Sequence, residues 1–239
     1  MHCLTLGGME ITELLPRLHQ VDLDFGQVYL WRDGDELTLV DTGIPGSGAA
    51  IAAAVESLGL PRSAVRRIVI THGHEDHAGS AAEIRAWDGA DVYVHAADAP
   101  VVRGERRRAE PVITDFERPY WDRVTELGVN AMTIPPSTVD VELAGGEELP
   151  FGDGARVLSI PGHTDGSIAV HLPAHGVLFA GDTVACLPGT GVIPGAFNVD
   201  RATMPASYRT LADLDPHTVC VGHGTSVVGG AGAAMRAVL

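Results

Sequence analysis

Short apolar runs separated by turn residues fill the first forty positions of the chain. Val28 and Leu30, with aromatic neighbours, give residues 10–31 the character of short β-strands. Asp33-Gly34-Asp35 is a turn signal, and the apolar run over residues 36–40 predicts the next strand. We therefore expect a hairpin over residues 25–40.

Strand and helix patterns alternate in the next segment. The composition of Ala49–Leu58 predicts a helix that Gly59 ends. A strand over Arg67–Thr71, a helix over residues 78–87 and a strand over Asp91–His95 follow. This order predicts parallel strands joined by crossover helices.

Residues 98–138 form the least regular part of the chain, and a second β-rich half follows them. The pattern there predicts hairpins over 139–149 and 167–180, a strand over 155–160, a long loop over 186–200, a helix over 202–214, a last strand over 218–221 and a closing helix after 225. The whole pattern predicts an α/β fold with mixed sheets.

Four potential metal ligands concentrate between Thr71 and Gly79, where the sequence is THGHEDHAG. In an extended chain, His72, His74 and Asp76 would point the same way, and His77 would join them as the helix begins. Imidazole and carboxylate groups without a thiolate suit zinc, iron or manganese. We therefore predict a metal site on this strand-to-helix loop.

The pattern His72-x-His74-x-Asp76-His77 resembles the signature of the metallo-β-lactamase fold superfamily. Further matching stretches follow the family order, and they are Leu39-Val40-Asp41-Thr42-Gly43, Pro161-Gly162-His163-Thr164, Phe179-Ala180-Gly181-Asp182-Thr183 and Val221-Gly222-His223-Gly224. The resemblance implies a four-layer αββα sandwich of two mixed β-sheets flanked by helices. It also implies a single domain over residues 1–239, with a lid or insertion at about 98–138.

The same resemblance implies a complete ligand set for two divalent metal ions. The ligands carried over are His72, His74 and His163 for one ion, Asp76, His77 and His223 for the other, and Asp182 as the bridge between them. Zinc is the expected metal, with iron or manganese as alternatives. Asp76 and Asp182 are also the expected catalytic residues.

The implied reaction is hydrolysis, in which a hydroxide held by two metals attacks the carbonyl of an ester, thioester or lactone. The contexts of His163 and Asp182 look most like those of small glyoxalase II-like hydrolases. The alternatives on the same fold are a mononuclear-iron persulfide dioxygenase, a β-lactamase and a diiron redox module without hydrolytic activity. The complete second ligand set argues against the dioxygenase, and the presence of Asp76 argues against the β-lactamase.

Three further residues near these motifs receive separate interpretations. Asp41 ends a predicted strand, and we expect it to orient the site without binding metal. His95 also ends a predicted strand but has no place in the family pattern, so we expect a structural role. Tyr120 lies in the segment over 98–138, where aromatic residues beside arginines could hold an acidic or thiol-conjugated substrate; its own role stays open.

The composition of the chain limits the kinds of molecule that it is expected to bind. The net charge of −15 disfavours nucleic acid, which requires Lys and Arg to neutralise phosphates. No apolar run reaches membrane-spanning length, and no secretory signal pattern begins the chain. The three cysteines, Cys3, Cys186 and Cys220, form no C-x-x-C pair. We expect a cytoplasmic protein with a small-molecule substrate; the oligomeric state, a dimer included, stays open.

Overall fold

The computed structural model of the chain describes residues 3–6, 9–23, 25–187 and 189–239. The strands in chain order are β1 (Cys3–Leu6), β2 (Met9–Leu15), β3 (Leu18–Asp22), β4 (Gln27–Asp33), β5 (Glu36–Val40), β6 (Val65–Val69), β7 (Asp91–His95), β8 (Val141–Leu143), β9 (Glu148–Leu149), β10 (Ala155–Ser159), β11 (Ile168–Leu172), β12 (Val177–Phe179), β13 (Val184–Leu187), β14 (Gly191–Pro194), β15 (Thr218–Cys220) and β16 (Val227–Val228). The α-helices are α1 (Gly48–Ser57), α2 (Glu75–Ala78), α3 (Ala81–Asp88), α4 (Ala99–Val102), α5 (Arg118–Glu126), α6 (Met204–Asp213) and α7 (Ala231–Arg236).

The strands form two large mixed sheets and a small ribbon. The first sheet has eight strands in the order β1 to β8. Its strands β1 to β5 are antiparallel to their neighbours, whereas β5 to β8 are parallel. The second sheet has six strands in the order β16-β15-β12-β11-β10-β9. The hairpin predicted over 25–40 and the parallel pairing of β5, β6 and β7 are confirmed.

Alternating side chains give each large sheet two apolar faces. In β4, Val28 and Leu30 pack towards α1 and α3, while Tyr29 and Trp31 belong to the core between the two sheets. In β12, Phe179 lies in that central core, and the neighbouring Leu178 packs with α6 and α7. Three apolar layers therefore separate four layers of structure, and the predicted αββα sandwich is confirmed.

The hairpin predicted over residues 139–149 is wrong. Strand β8 pairs with β7 in the first sheet, whereas β9 pairs with β10 in the second. The turn between them passes from one sheet to the other, and the Glu147 carboxylate accepts hydrogen bonds from the backbone N–H groups of Ala144 and Gly145. Gly145 has a φ of +94°, and a Cβ there would lie 2.8 Å from the backbone nitrogen of Ser159, so the close crossing requires glycine.

The long loop predicted over residues 186–200 is wrong in part. Strand β14, in the first half of this stretch, pairs with β13, and the two strands form an antiparallel ribbon. Glycine and proline hide the β pattern there, and Pro194 is tolerated because it ends a strand of a two-stranded ribbon. Strand β16 also follows the strand that was expected to be last.

Two smaller expectations concern the cysteines and the membrane. Cys186 and Cys220 are free thiols, while the side chain of Cys3 lies outside the described residues. Among the described residues, no helix has the length and apolar character that a membrane span requires.

Candidate metal centre

The loop after β6 delivers the first candidate ligands. The chain turns tightly there, because the backbone N–H of His74 donates to the carbonyl of His72 at 3.1 Å. Helix α2 begins at once and presents Asp76 and His77 from a single turn. The side chains therefore converge through a tight turn followed by a helix, and not through the strand alternation that the sequence suggested.

The first ligand group joins this loop to the one after β10. His72 Nε2 and His163 Nε2 each lie 3.1 Å from His74 Nδ1. His72 and His163 are buried, with 1% and 2% of their surfaces exposed. Three ring nitrogens thus face one small volume, as a metal held by His72, His74 and His163 would require.

The second group joins helix α2 to the loop after β15. His223 Nε2 lies 3.2 Å from Asp76 Oδ2, and His77 Nε2 lies 3.9 Å from Asp76 Oδ1. The ligand atoms of Asp76, His77 and His223 lie within 4.8 Å of one another, which places them around a second point.

Asp182 lies between the two groups. Its Oδ2 is 3.5 Å from His163 Nε2 and 3.2 Å from His223 Nε2, so one oxygen faces a ligand of each group. Its Oδ1 is 3.4 Å from His77 Nε2. All seven ligand candidates of the sequence therefore meet at one end of the sandwich, in the arrangement that a bridging carboxylate would need.

Gly222 makes this convergence sterically feasible. A Cβ at Gly222 would lie 1.9 Å from Asp182 Oδ1 and 2.8 Å from His77 Cε1. Only glycine lets the loop that carries His223 approach the Asp182 carboxylate so closely.

Hydrogen bonds around the centre leave lone pairs directed inward. The Nδ1 of His163 lies 3.0 Å from the Ala196 carbonyl oxygen, which accepts only a donated proton, so Nε2 carries the lone pair. The Nδ1 of His77 is held in a similar way, 2.8 Å from a carboxylate oxygen of Asp41, and this contact turns Nε2 towards the centre. The buried atoms His77 Nε2 and Asp182 Oδ1 have no hydrogen-bond partner. Buried imidazole nitrogens and carboxylate oxygens without partners fit a divalent cation, which would take the place of the protons.

The charge states that cation binding requires are built in for His72 and Asp182, but not for His77 and His223. Burial and the neighbouring His77 and His74 hold the pKa of His72 well below its ordinary value, so its ring is neutral. Burial opposes ionisation of Asp182, but the His223 and His77 rings outweigh it and hold the pKa of that carboxyl well below its ordinary value. Burial likewise opposes the charged form of His223, yet Asp182 raises its pKa to about 10. Burial also opposes the charged form of His77, but Asp182 raises its pKa well above its ordinary value. His77 and His223 must therefore each release a proton when a cation binds.

Asp41 supports the centre from behind. Its buried carboxylate accepts hydrogen bonds from the backbone N–H of Thr71 at 2.7 Å and from the Thr71 hydroxyl at 2.8 Å. The same carboxylate holds His77 Nδ1, as described above. This carboxylate fixes the ring orientation and tautomer of a candidate ligand, as we expected of Asp41 from the sequence.

Asp98 is a supporting residue that the sequence analysis missed. Its buried carboxylate accepts hydrogen bonds from the Gly73 N–H at 2.8 Å and from the Thr164 hydroxyl at 2.7 Å. It therefore ties the loop of His72 and His74 to the loop of His163. The available signal was weak, because an aspartate after β7 and before a short helix is typical of an ordinary helix N-terminus.

A cleft of about 350 Å³ opens above the candidate ligands. Its floor contains His74, Asp76, His163, Asp182 and His223. Its other lining residues come mostly from residues 108–130 and 185–197, together with Phe25 and Glu75. Tyr120 lines this cleft and is 56% exposed. His95 belongs to none of the ligand groups and accepts a hydrogen bond from the Ala97 N–H through Nδ1.

Comparison with known proteins agrees with this architecture. The model of the metallo-beta-lactamase superfamily matches residues 21–223. The chain is 27% identical over 233 residues to the probable metallo-hydrolase YflN of Bacillus subtilis, covering 89% of this chain and 85% of that protein. It is 32% identical over 190 residues to a hydroxyacylglutathione hydrolase of Cereibacter sphaeroides, covering 79% of this chain but only 57% of that protein.

A solved structure shows the same fold. It is a metallo-beta-lactamase family protein of Thermus thermophilus, with a TM-score of 0.70 and 26% identity, covering 94% of this chain and 79% of that one. The comparisons confirm the prediction of an enzyme of this class. The chain belongs to the metallo-beta-lactamase superfamily.

Proposed function

We propose that the chain is a hydrolase that uses two divalent cations, expected to be zinc, to cleave an ester, thioester or lactone bond in a small molecule. The observation that carries this proposal is the position of Asp182 between two groups of ligands at the floor of a cleft. The curated relatives named as a metallo-hydrolase and as a hydroxyacylglutathione hydrolase support the same reaction class.

The residues of the centre have three roles in this proposal. His72, His74 and His163 would hold one cation, Asp76, His77 and His223 the other, and Asp182 would bridge them. When bound, such a pair of cations supplies a hydroxide at neutral pH and polarises a carbonyl oxygen. Asp76 and Asp182 line the cleft as acceptors and would orient the nucleophile towards the carbonyl carbon.

The reaction balances with water as the only co-reactant. The oxygen of water forms a bond to the carbonyl carbon, and the bond to the leaving oxygen or sulfur breaks. The leaving group takes up a proton, either from Asp76 or from water. The carboxylic acid product then loses its own proton to solvent. No side-chain nucleophile is required.

Two other reactions of the same fold have less support. A mononuclear dioxygenase would use one ligand group, whereas this chain brings a complete second group of Asp76, His77 and His223 together. A β-lactam would present a charged carboxylate to the cleft. The single arginine among the described lining residues is already paired with acidic side chains.

The test is turnover of a panel of short neutral esters, thioesters and lactones by protein with known metal content. We expect Asp76→Ala and His163→Ala each to lower kcat/KM by at least about a thousandfold, because each removes a ligand and Asp76→Ala also removes an acceptor. Circular dichroism checks that the variants keep their fold. Turnover that survives both substitutions, or thorough chelation, would refute the proposal.

A further inference from the structure

The cleft has one wall that is unusually apolar at its exposed rim. We call this the outer wall and define it by Phe116, Tyr120, Trp121 and Leu187. Phe116 is 78% exposed, Tyr120 56% and Leu187 37%, and all three line the cleft above the candidate ligands. Large apolar side chains that gather at the mouth of a cleft indicate a binding surface for apolar groups.

The aromatic rings of the outer wall continue towards the floor of the cleft. The rings of Phe116 and Tyr120 lie 6.0 Å apart between centroids. Deeper in, Trp121 meets Phe197 edge to face at 5.2 Å. Phe197 directly follows Ala196, whose carbonyl oxygen lies 3.0 Å from His163 Nδ1. An apolar surface therefore runs from the rim to the neighbourhood of the candidate metal centre.

The charged residues of the cleft are already paired. Arg108 is the only lysine or arginine among the described residues that line it. Its Nε lies 3.2 Å from each carboxylate oxygen of Glu75, and its guanidinium group lies over the Trp121 ring, 5.8 Å from the centroid. Glu117, the other lining acid outside the floor, is paired with Arg201 at 2.8 Å. The described part of the cleft thus offers no free cation to an anionic substrate beyond the metal centre.

We propose, building on the hydrolase function above, that the substrate carries an uncharged apolar acyl chain that lies along Phe116, Tyr120 and Trp121. The paired Arg108 disfavours an anionic conjugate such as a glutathione thioester. The sequence alone left open whether the arginines beside these aromatics hold an acidic or thiol-conjugated substrate.

The first experiment measures binding without turnover. The N-methylamides of butanoic, hexanoic and octanoic acid are titrated into the protein by calorimetry. We expect the Kd to fall about fourfold for each two added methylenes, as partial burial of a chain against an apolar wall predicts. A Kd that does not depend on chain length would overturn the inference.

A matched pair of variants locates the chain. Phe116→Ala combined with Tyr120→Ala removes two exposed rings and should abolish most of the chain-length dependence, with little cost in stability. Leu127→Ala is the control. Leu127 directly follows helix α5, which carries Tyr120, and it is 45% exposed but does not line the cleft. Equal effects of the double variant and the control would contradict the proposed position.

A second experiment separates this inference from the proposed function. Turnover of S-octanoyl-N-acetylcysteamine is compared with turnover of S-octanoylglutathione, which has the same acyl chain and a charged leaving group. We expect kcat/KM to be at least about tenfold higher for the neutral thioester. A preference for the glutathione thioester would overturn the inference. Chain-length-dependent binding without turnover of any acyl substrate would instead refute the hydrolase function and leave the apolar acyl site standing.

Discussion

The floor and the outer wall of the cleft are built in different ways. The floor consists of loops at strand ends, and it rests on the buried rings of His72 and His77, which are at most 1% exposed, although His223 in the floor is 40% exposed. The outer wall depends on helix α5, none of whose residues is buried. The floor is thus anchored in the core of the sandwich, whereas the wall lies on its surface.

Polar contacts beside the outer wall attach it to the rest of the protein. Glu117 accepts hydrogen bonds from the Phe197 N–H at 3.1 Å and from Arg201 at 2.8 Å. Arg108 joins the wall to helix α2 through Glu75. Substitutions in the floor should therefore abolish metal binding and turnover. Substitutions in the wall should instead change substrate preference and local stability.

The largest effect is expected from Asp182→Ala. This change removes the carboxylate between the two ligand groups and leaves two imidazole sets without a shared partner. We expect kcat/KM to fall at least about a thousandfold and the metal content to fall from two ions per chain to one or fewer. Elemental analysis and a neutral ester assay measure both. Normal metal content in this variant would contradict the bridging role.

A smaller effect is expected from Asp41→Asn, which acts through His77. The residue has a φ of +64°, a conformation that asparagine tolerates, so the backbone should be preserved. Both carboxylate oxygens of Asp41 are hydrogen-bonded, but only the oxygen of an amide can accept a hydrogen bond. The substitution therefore weakens the contact that orients His77. We expect about a 10- to 100-fold loss of metal affinity, measured by competition with a chelator. An unchanged affinity would show that the site does not depend on this support.

A change in the attachment of the wall should be milder still. Burial raises the pKa of Glu117, but hydrogen bonds from Thr114 and Arg201 outweigh it and lower the pKa to about 2 from 4.5. A lowered carboxyl pKa stabilises the fold above the unfolded-state value, and the stabilisation is lost as the pH falls from about 4.5 towards 2. Glu117→Gln should therefore cost on the order of 2 kcal/mol at pH 7.

The control for Glu117→Gln is its pH dependence. Chemical denaturation of chelator-treated wild type and variant should give a difference in the free energy of unfolding that shrinks below pH 4.5. The metal content of untreated protein should stay at the wild-type value, because Glu117 belongs to none of the ligand groups. A difference that is constant with pH would contradict the ionised state of Glu117.

The smallest effect is expected from His95→Gln. His95 ends the strand beside the metal loop, yet it belongs to none of the ligand groups among the described residues. We expect kcat/KM within about twofold of wild type and stability within about 0.5 kcal/mol. A large loss of bound metal in the His95→Gln variant would show that His95 contributes to the metal site.

The contrast between floor and wall also explains what the sequence could predict. The ligand positions follow from a local pattern, in which His72, His74 and Asp76 stand behind a buried strand. Asp98 escaped notice because its three hydrogen bonds join segments far apart in sequence, and its own neighbours resemble a helix N-terminus. The predicted hairpin over 139–149 failed for a similar reason, since a glycine turn does not reveal which sheet its second strand joins.

The wall was the least predictable part. The sequence places Arg108 and Trp121 in an irregular segment, but it does not show that Glu75 neutralises the arginine across 33 positions. That pairing favours a neutral substrate among the esters, thioesters and lactones that the sequence predicted. Such side-chain pairing depends on tertiary contacts, which a single sequence pattern does not encode.

The most direct test of the central claim is the number of metal ions that the chain binds. Chelator-treated protein is dialysed against zinc and analysed for bound metal, beside His72→Ala and His223→Ala. We expect two ions per wild-type chain and about one in each variant, because each substitution removes a ligand of only one of the two groups. A single ion in the wild type, unchanged by His223→Ala, would contradict the dinuclear centre and with it the proposed hydrolysis.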